Sequence, residues 1–301
     1  MSSFSILITT KNRINELKYT LGKIEHLIQL KNVDCIICDD GSADDTFEYV
    51  ETNYSNIEII KNTTSKGLIF SRNRLLNLTT SKYAISLDDD AHFLTTDVLE
   101  LIESHFNNYS KSALASFRVY WGENEPVHTN SNEKTLRVKG FVGCGHVWNM
   151  KAWNEISNYP DWFVFYGEEE FASFQLFKNG WEVHYLPSVL VHHRVDVRSR
   201  KKDKDYRLRL RRSLRSGWYL YFLFYPWKLI PKKLTYTLWM QFKLKVIKGD
   251  FKAFMAILQA MGDVLINIPR LMKNSNRLSS EEYKRYLQLP DTKLYWKPEK
   301  L

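Results

Sequence analysis

Three runs of acids carry the chemistry open to this chain: Asp39-Asp40, Asp88-Asp89-Asp90 and Glu168-Glu169-Glu170. At an extended strand end Asp88 and Asp90 point the same way, because side chains alternate. Two carboxylates on one face are hard oxygen donors suited to Mg2+ or Mn2+, which keep phosphate oxygens as further ligands. Without a counter-charge, three adjacent acids would repel one another. The glutamate triplet follows an apolar approach, Trp162-Phe163-Val164-Phe165-Tyr166. A carboxylate at such a partly desolvated wall has a raised pKa and is a competent general base, although acids at a helix start also simply complement its dipole. His192-His193 closes an apolar strand, either as a core pair or as neutral imidazole ligands beside the aspartates.

These groups need a frame. Phe4–Thr10, Cys35–Cys38, Ile57–Ile60 and Tyr83–Leu87 are short apolar runs that suit buried parallel strands. Between them Leu17, Leu21, Ile24 and Ile28 recur at helical spacing, Asp44-Asp45 opens a second helix, and Gly67 introduces a third over Leu68–Leu78. The alternation predicts a doubly wound α/β sheet, whose ligands gather beyond the carboxyl ends of the strands. Three strands end there in Thr9-Thr10, Asp39-Asp40 and Asp88-Asp89-Asp90. A helix after Gly167 places Phe171, Phe174 and Phe177 toward the core, and strands follow at Glu182–Leu186 and Val189–His193. The glycine-rich phosphate loops are missing: neither G-x-x-x-x-G-K-[ST] nor G-x-G-x-x-G occurs after the first strand. Gly143-Cys144-Gly145 reads as a tight turn. A nucleotide diphosphate bound here needs a cation in place of a glycine cradle.

Of the 301 residues, 44% are hydrophobic and 26% charged, which excludes a disordered chain. Three cysteines exclude a disulfide scaffold, and with no secretory signal expected at Met1-Ser2-Ser3-Phe4 they point to a reducing cytosol. The net charge of +9 hides a split: residues 1–193 carry −8 and residues 194–301 carry +17. We place a domain boundary there, with an α/β domain over 1–200 and a basic, aromatic-rich helical extension over 201–301. Eleven of the residues from Arg194 to Arg215 are Lys or Arg, and the apolar run Trp218–Trp227 follows. Ten residues are half of what crosses a bilayer, so no spanning helix is expected. Basic residues beside an aromatic, non-spanning segment suit an anionic membrane surface, reached through residues 201–260. Nucleic acid has a similar footprint, but its platforms interleave polar residues, so none is expected. Packing on the α/β domain or on a second copy is compatible with membrane docking, and a homo-oligomer stays open.

The order Thr9-Thr10-Lys11-Asn12-Arg13, Asp39-Asp40-Gly41-Ser42, Gly67 with Ser71-Arg72-Asn73, Leu87-Asp88-Asp89-Asp90, Gly167-Glu168-Glu169 and Pro187 with His193 resembles the family 2 inverting glycosyltransferases with a GT-A fold. The resemblance covers residues 4–195. It implies that Thr9, Thr10, Arg13 and Asp40, with Asp39, hold the base and ribose of a nucleotide-sugar. Gly67 and Arg72 match the segment packed under the nucleotide, and Asp89 joins these contacts. Asp88 and Asp90 match the D-x-D motif, the first toward the ribose and the last toward Mn2+ or Mg2+. His193, or else His192, matches the histidine that joins the metal or diphosphate. Glu169 matches the second acid of the family's Glu-Asp motif, the usual base. Glu-Glu here departs from that pattern and leaves Glu168 as an alternative, and Gln175 stands where arginine is frequent.

The implied reaction is a single displacement by an acceptor hydroxyl at the anomeric carbon of a nucleoside-diphosphate sugar, with inversion. Its acceptor would be a glycan or a lipid-linked glycan of surface polysaccharide synthesis, at the cytoplasmic face of the cell membrane. Trp121, Trp148 and Trp162 are candidates to stack on sugar rings. The competing expectation is a catalytically altered GT-A binding module whose tail engages nucleic acid or a protein.

Overall fold

The computed structural model describes residues 2–195 and 205–298. Its strands are β1 Phe4–Thr10, β2 Val33–Asp39, β3 Ile57–Lys61, β4 Tyr83–Asp88, β5 Ala91–Phe93, β6 Ser112–Trp121, β7 Leu136–Val138, β8 Gly145–Asn149 and β9 Glu182–His193. The α-helices are α1 Ile14–Ile28, α2 Thr46–Asn53, α3 Leu68–Leu78, α4 Val98–Asn108, α5 Met150–Trp153, α6 Glu168–Lys178, α7 Tyr206–Phe224, α8 Ile230–Gln241, α9 Phe251–Lys273 and α10 Ser280–Gln288. The α/β layout expected from the alternation is present, and the four expected N-terminal strands fall within two residues of their observed ends.

One sheet runs in the order β3-β2-β1-β4-β8-β6-β9-β5, with β7 paired to β9. The pairs β3/β2, β2/β1 and β1/β4 are parallel, whereas β8 runs antiparallel to β4 and to β6. The chain therefore reverses its winding at β1, and the crevice beyond the carboxyl ends of β1 and β4 is the expected ligand position for such a sheet. Register sets Thr9 of β1 beside Asp88 of β4 and Thr10 beside Asp39 of β2. The two runs read separately as Glu182–Leu186 and Val189–His193 are a single strand, β9, whose register against β6 shifts between Phe117 and Arg118.

Alternation divides each central strand between two cores. Ile6 and Ile8 face α1 and α4 (Leu17, Leu21, Ile24, Ile102, Phe106), whereas Leu7 faces α3 and α6 (Leu75, Leu76, Phe174, Leu176). The second core continues into the C-terminal helices: Trp218, Tyr219, Leu220, Leu223 and Phe224 of α7 are buried in it. Phe224 stacks on Phe174 at 5.0 Å between ring centroids, and Tyr219 meets Phe163 edge-on at 5.3 Å. The aromatic run offered above to a membrane is therefore mostly core, its apolar side chains shielded by the α/β layer.

The exposed apolar surface lies further along. Helix α9 buries one side, Ala253, Ala256, Ile257, Ala260 and Val264, and its small alanines let α7 approach closely. Its other side leaves Phe251, Leu258, Leu265, Ile266 and Met272 exposed, next to exposed Tyr236 and Trp239 of α8 and to Phe242 and Ile247 beyond it. By length and composition α9 is long and apolar enough to cross a membrane. An unbroken-run criterion missed it because Asp263 and Arg270 interrupt the sequence; Asp263 accepts both 2.7 and 2.5 Å bonds from Arg211 of α7. Past α10 the chain returns to the sheet, where Trp296 pairs with Tyr120 and donates its backbone N–H to Val119.

Candidate active site

A cleft of about 590 Å3 opens at the carboxyl edge of β1, β2 and β4. Thr9, Thr10, Arg13, Asp40, Gly67, Asp88, Asp89, Asp90 and His193 line it together. Nine of the sequence candidates thus converge from five separate segments. Asp39 does not line it: fully buried, its Oδ1 accepts from the Ser42 backbone at 2.8 Å and holds the turn after β2. Asp40 also orders backbone. It accepts from Asn62, Ser65, Ser71 and the N–H groups of Lys66 and Gly67, all between 2.6 and 3.2 Å. Burial opposes its charge, but these bonds hold its pKa below the usual range. Gly67 sits at φ 97, and a side chain there would meet the Val164 carbonyl at 2.9 Å. The segment before α6 therefore closes directly on the cleft's floor.

Each aspartate of the triplet has an internal cation. Asp88 pairs with Arg72 at 2.9 Å, Asp89 with Arg13 at 3.0 Å, and Asp90 with both Arg13 at 2.6 Å and His193 at 3.0 Å. The repulsion expected of three bare acids is relieved by arginine and imidazolium. Desolvation works against charge on Asp90, yet His193 and Arg13 pull its pKa down to about 2. Desolvation also opposes charge on His193, and Cys144, Asp90 and Asp88 together outweigh it, raising the ring to about 11. Asp89 goes the other way: burial, with Asp90 and Asp88 nearby, raises it to about 7 despite Arg13.

Of the two histidines, His193 belongs to this cluster. His192 lies on the opposite face, its Nε2 2.7 Å from the Gly122 carbonyl and its ring 5.1 Å from His92. Successive strand residues face opposite ways, so only one of the pair can reach the aspartates.

The glutamates stand behind the cleft wall. Arg72 is buried and donates to Asp88 at 2.9 Å, to Glu168 at 2.8 Å and to the Gly143 carbonyl at 3.0 Å. Glu168 is 2% exposed and spent on that pair, whereas Glu169 is half-buried and makes no ion pair among the described residues. Desolvation, then the charges of Glu168 and Glu170, raise Glu169 well above its ordinary pKa. Gly143 is more than a turn residue: a Cβ there would stand 2.7 Å from both Arg72 and the Glu169 carboxylate. Only glycine leaves room there for the guanidinium and the second glutamate together.

Two features escaped sequence reasoning. Arg194 and, from α7, Arg209 and Arg212 also line the cleft. The basic run assigned above to a membrane thus turns part of its charge inward, and the i, i+3 spacing of Arg209 and Arg212 was the available signal. The tryptophans also divide. Trp148 is fully buried against Trp153, and Trp162 packs on Tyr219 and under Arg270, so neither offers a free face to a sugar. Trp121 stands half-buried, edge-on to His193 at 5.5 Å.

The model for glycosyl transferase family 2 matches residues 5–171, more than half of the chain. The chain belongs to that family. Over 100 residues it is 36% identical to the UDP-Glc:alpha-D-GlcNAc-diphosphoundecaprenol beta-1,3-glucosyltransferase WfaP of Escherichia coli, a stretch covering 33% of this chain and 39% of that protein. The alignment therefore spans well under half of the relative's length. Among solved structures, S. aureus TarS 1-349 superposes with a TM-score of 0.56 at 15% identity, over 91% of this chain and 83% of that one. The mannosyltransferase PcManGT from Pyrobaculum calidifontis, in complex with GDP-Man and Mn2+, gives 0.54 at 12% identity, over 95% and 78%. At such identities the likeness establishes fold alone, and that fold is GT-A, as the family 2 motifs implied.

The donor set of this family 2 chain fits a divalent cation. His193 Nε2 lies 3.8 Å from Asp88 and 3.0 Å from Asp90, and Asp90 Oδ1 is buried without a hydrogen bond. The two carboxylates are ordinary ligands for Mn2+ or Mg2+, and the imidazole favours the transition-metal ion of the two.

Proposed function

We propose that this protein is an inverting, metal-dependent glycosyltransferase, moving a sugar from a nucleoside-diphosphate sugar to a hydroxyl of a glycan or lipid-linked acceptor. The observation that carries the reading is the cleft at the sheet's switch point. It gathers Asp88, Asp90 and His193 with Arg13, Arg194, Arg209 and Arg212, and Glu169 stands just behind. The solved neighbours were crystallised with UDP-GlcNAc, or with GDP-Man and Mn2+, and the WfaP relative is named for a UDP-glucose donor and a diphosphoundecaprenol-linked acceptor, which support the same donor and acceptor classes.

A cation held by Asp88, Asp90 and His193 would supply positive charge for the departing diphosphate. Arg209 and Arg212 on α7, lining the same cleft, would add positive charge where negative charge builds on the leaving group. Thr9, Thr10 and Arg13 hold the nucleoside against the end of β1. Asp40 shapes the 65–67 loop under it. Glu169, with its raised pKa, takes the proton of the acceptor hydroxyl as that oxygen attacks the anomeric carbon from the face opposite the leaving group. Glu168 fixes Arg72 and thereby the height of α6 relative to Asp88. One displacement inverts the anomeric centre and needs no carboxylate nucleophile, unlike retaining glycosidases.

The apolar, lysine-fringed face of α8 and α9 supports peripheral docking at the cytoplasmic leaflet, with α9 lying in the interface. Its Asp263 is tied to Arg211 and one side is packed on α7, an arrangement that suits lying in the interface better than spanning it. Docking of that kind would bring the enzyme to the surface that carries a lipid-linked acceptor.

A thermal-shift panel of UDP-, GDP-, dTDP- and CMP-sugars, each with Mn2+ and with EDTA, tests the donor site, because a ligand that binds only the native state raises its stability. A metal-dependent shift from one nucleotide class supports the reading. Equal shifts with and without metal for the wild type and Asp90→Ala would remove the metal from it.

A further inference from the structure

Cys144 is buried, which by itself is the ordinary state of a free cysteine. Its surroundings are not ordinary. Strand β8 pairs antiparallel with β4 so that Gly145 faces Leu87, with Cys144 in the turn that enters β8 and Asp88 at the end of β4. His193 ends β9, whose neighbour β6 pairs with β8. Three strand ends thus bring a carboxylate oxygen of Asp88, the sulfur of Cys144 and a ring nitrogen of His193 within 4.8 Å of one another. The remaining cysteines, Cys35 and Cys38, lie inside β2 and belong to no such group among the described residues.

Building on the divalent site proposed above, we propose that Cys144 is a further, soft donor to that site, so that it takes thiophilic divalent cations such as Zn2+, Cd2+ and Co2+ in preference to Mg2+. Carboxylates alone would leave the choice to hard cations, whereas a thiolate beside an imidazole draws borderline and soft ones. Mg2+ demands an octahedral oxygen shell and gains nothing from sulfur. On binding, the thiol proton and the imidazolium proton of His193 both leave to solvent, and the sulfur enters the coordination sphere as thiolate.

Cobalt reads this directly, because a sulfur-to-cobalt charge-transfer band appears only when thiolate is a ligand. The full chain, stripped of metal, is titrated with CoCl2 by absorbance and by calorimetry in parallel, as wild type, Cys144→Ser, Cys144→Ala and Asp90→Ala. Expected are a saturable band in the wild type, its loss in both cysteine variants, and Mg2+ heats that do not change in either. Cd2+ affinity should fall at least about tenfold in whichever cysteine variant is better folded, the lower end of what losing even an outer partner costs a metal site. Cobalt heats without the band in the wild type, or an undiminished band in Cys144→Ser, overturn the role of Cys144 and leave the carboxylate–imidazole site standing. Absence of any cobalt heat in the wild type, or heats indifferent to Asp90→Ala, overturns the metal site itself and Cys144 with it.

Discussion

The carboxyl edge of the sheet and the C-terminal helices solve opposite problems with charge. At the edge, acids are buried and each is matched at short range: Asp88 by Arg72, Asp89 and Asp90 by Arg13, Asp90 again by His193. In the helices, cations are abundant and mostly solvated, while the apolar residues divide between a buried side on α7 and an exposed side on α8 and α9. Position is therefore fixed by paired charge in the first region and by apolar contact in the second. Arg72 and Leu223 are the residues that test each half of that contrast.

Arg72→Ala should produce the largest effect. It leaves Asp88 and the 2%-exposed Glu168 without their cation, and breaking a buried pair from one side costs about 3–5 kcal/mol. Urea unfolding checks this, and a loss below about 1 kcal/mol, the worth of an exposed pair, would mean the pairing is not what holds the edge. Glu169→Gln is expected to lower turnover by about 10²–10⁴-fold with donor affinity kept. Steady-state kinetics with a donor titration would show it, and near-normal turnover would move the base to Glu168. In the helical half, Leu223→Ala removes a fully buried side chain and should cost about 3 kcal/mol while leaving vesicle sedimentation unchanged.

The next effect is one of pH. Asp89 has a folded pKa raised to about 7 from 3.8. Its contribution to stability is complete below about 3.8 and is lost as pH rises toward 7, so the metal-free protein should weaken progressively across that window. Asp89→Asn should flatten the decline, whereas an unchanged slope would place its origin elsewhere. The smallest effect is a single exposed lysine: Lys248→Ala should weaken binding to anionic vesicles by about 1 kcal/mol with no change in melting temperature. Deleting residues from 218 onward is not a clean version of that test, because it strips Trp218, Leu223 and Phe224 from the core.

The same contrast explains what the sequence disclosed. The strands β1 to β4 and the acids at their ends were legible because alternation and short apolar runs are local signals, and the aspartates sit where parallel strands must end. The choice of His193 over His192 needed only the face of a strand, once β9 was known to be continuous through Pro187. The antiparallel insertion of β8 between β4 and β6 was not legible, since pairing between residues some sixty positions apart leaves no local trace. Gly143 and Cys144 do form the expected turn, but that this turn meets Arg72 and His193 left no trace in the sequence. The helices misled more. Trp218–Trp227 and α9 are both apolar, and only tertiary packing decides that the first is covered and the second left open.

One further feature concerns the order in which the protein comes into being. Trp121, edge-on to His193, is covered on its other side by Tyr295, and Trp296 continues the edge of β6 at Tyr120. Some two hundred residues separate the Asp88–Asp90 loop from Tyr295 and Trp296, which reach back to the sheet beside His193. A chain growing on the ribosome can therefore set the acids of the cleft in place while the cover over Trp121 still waits for those two residues.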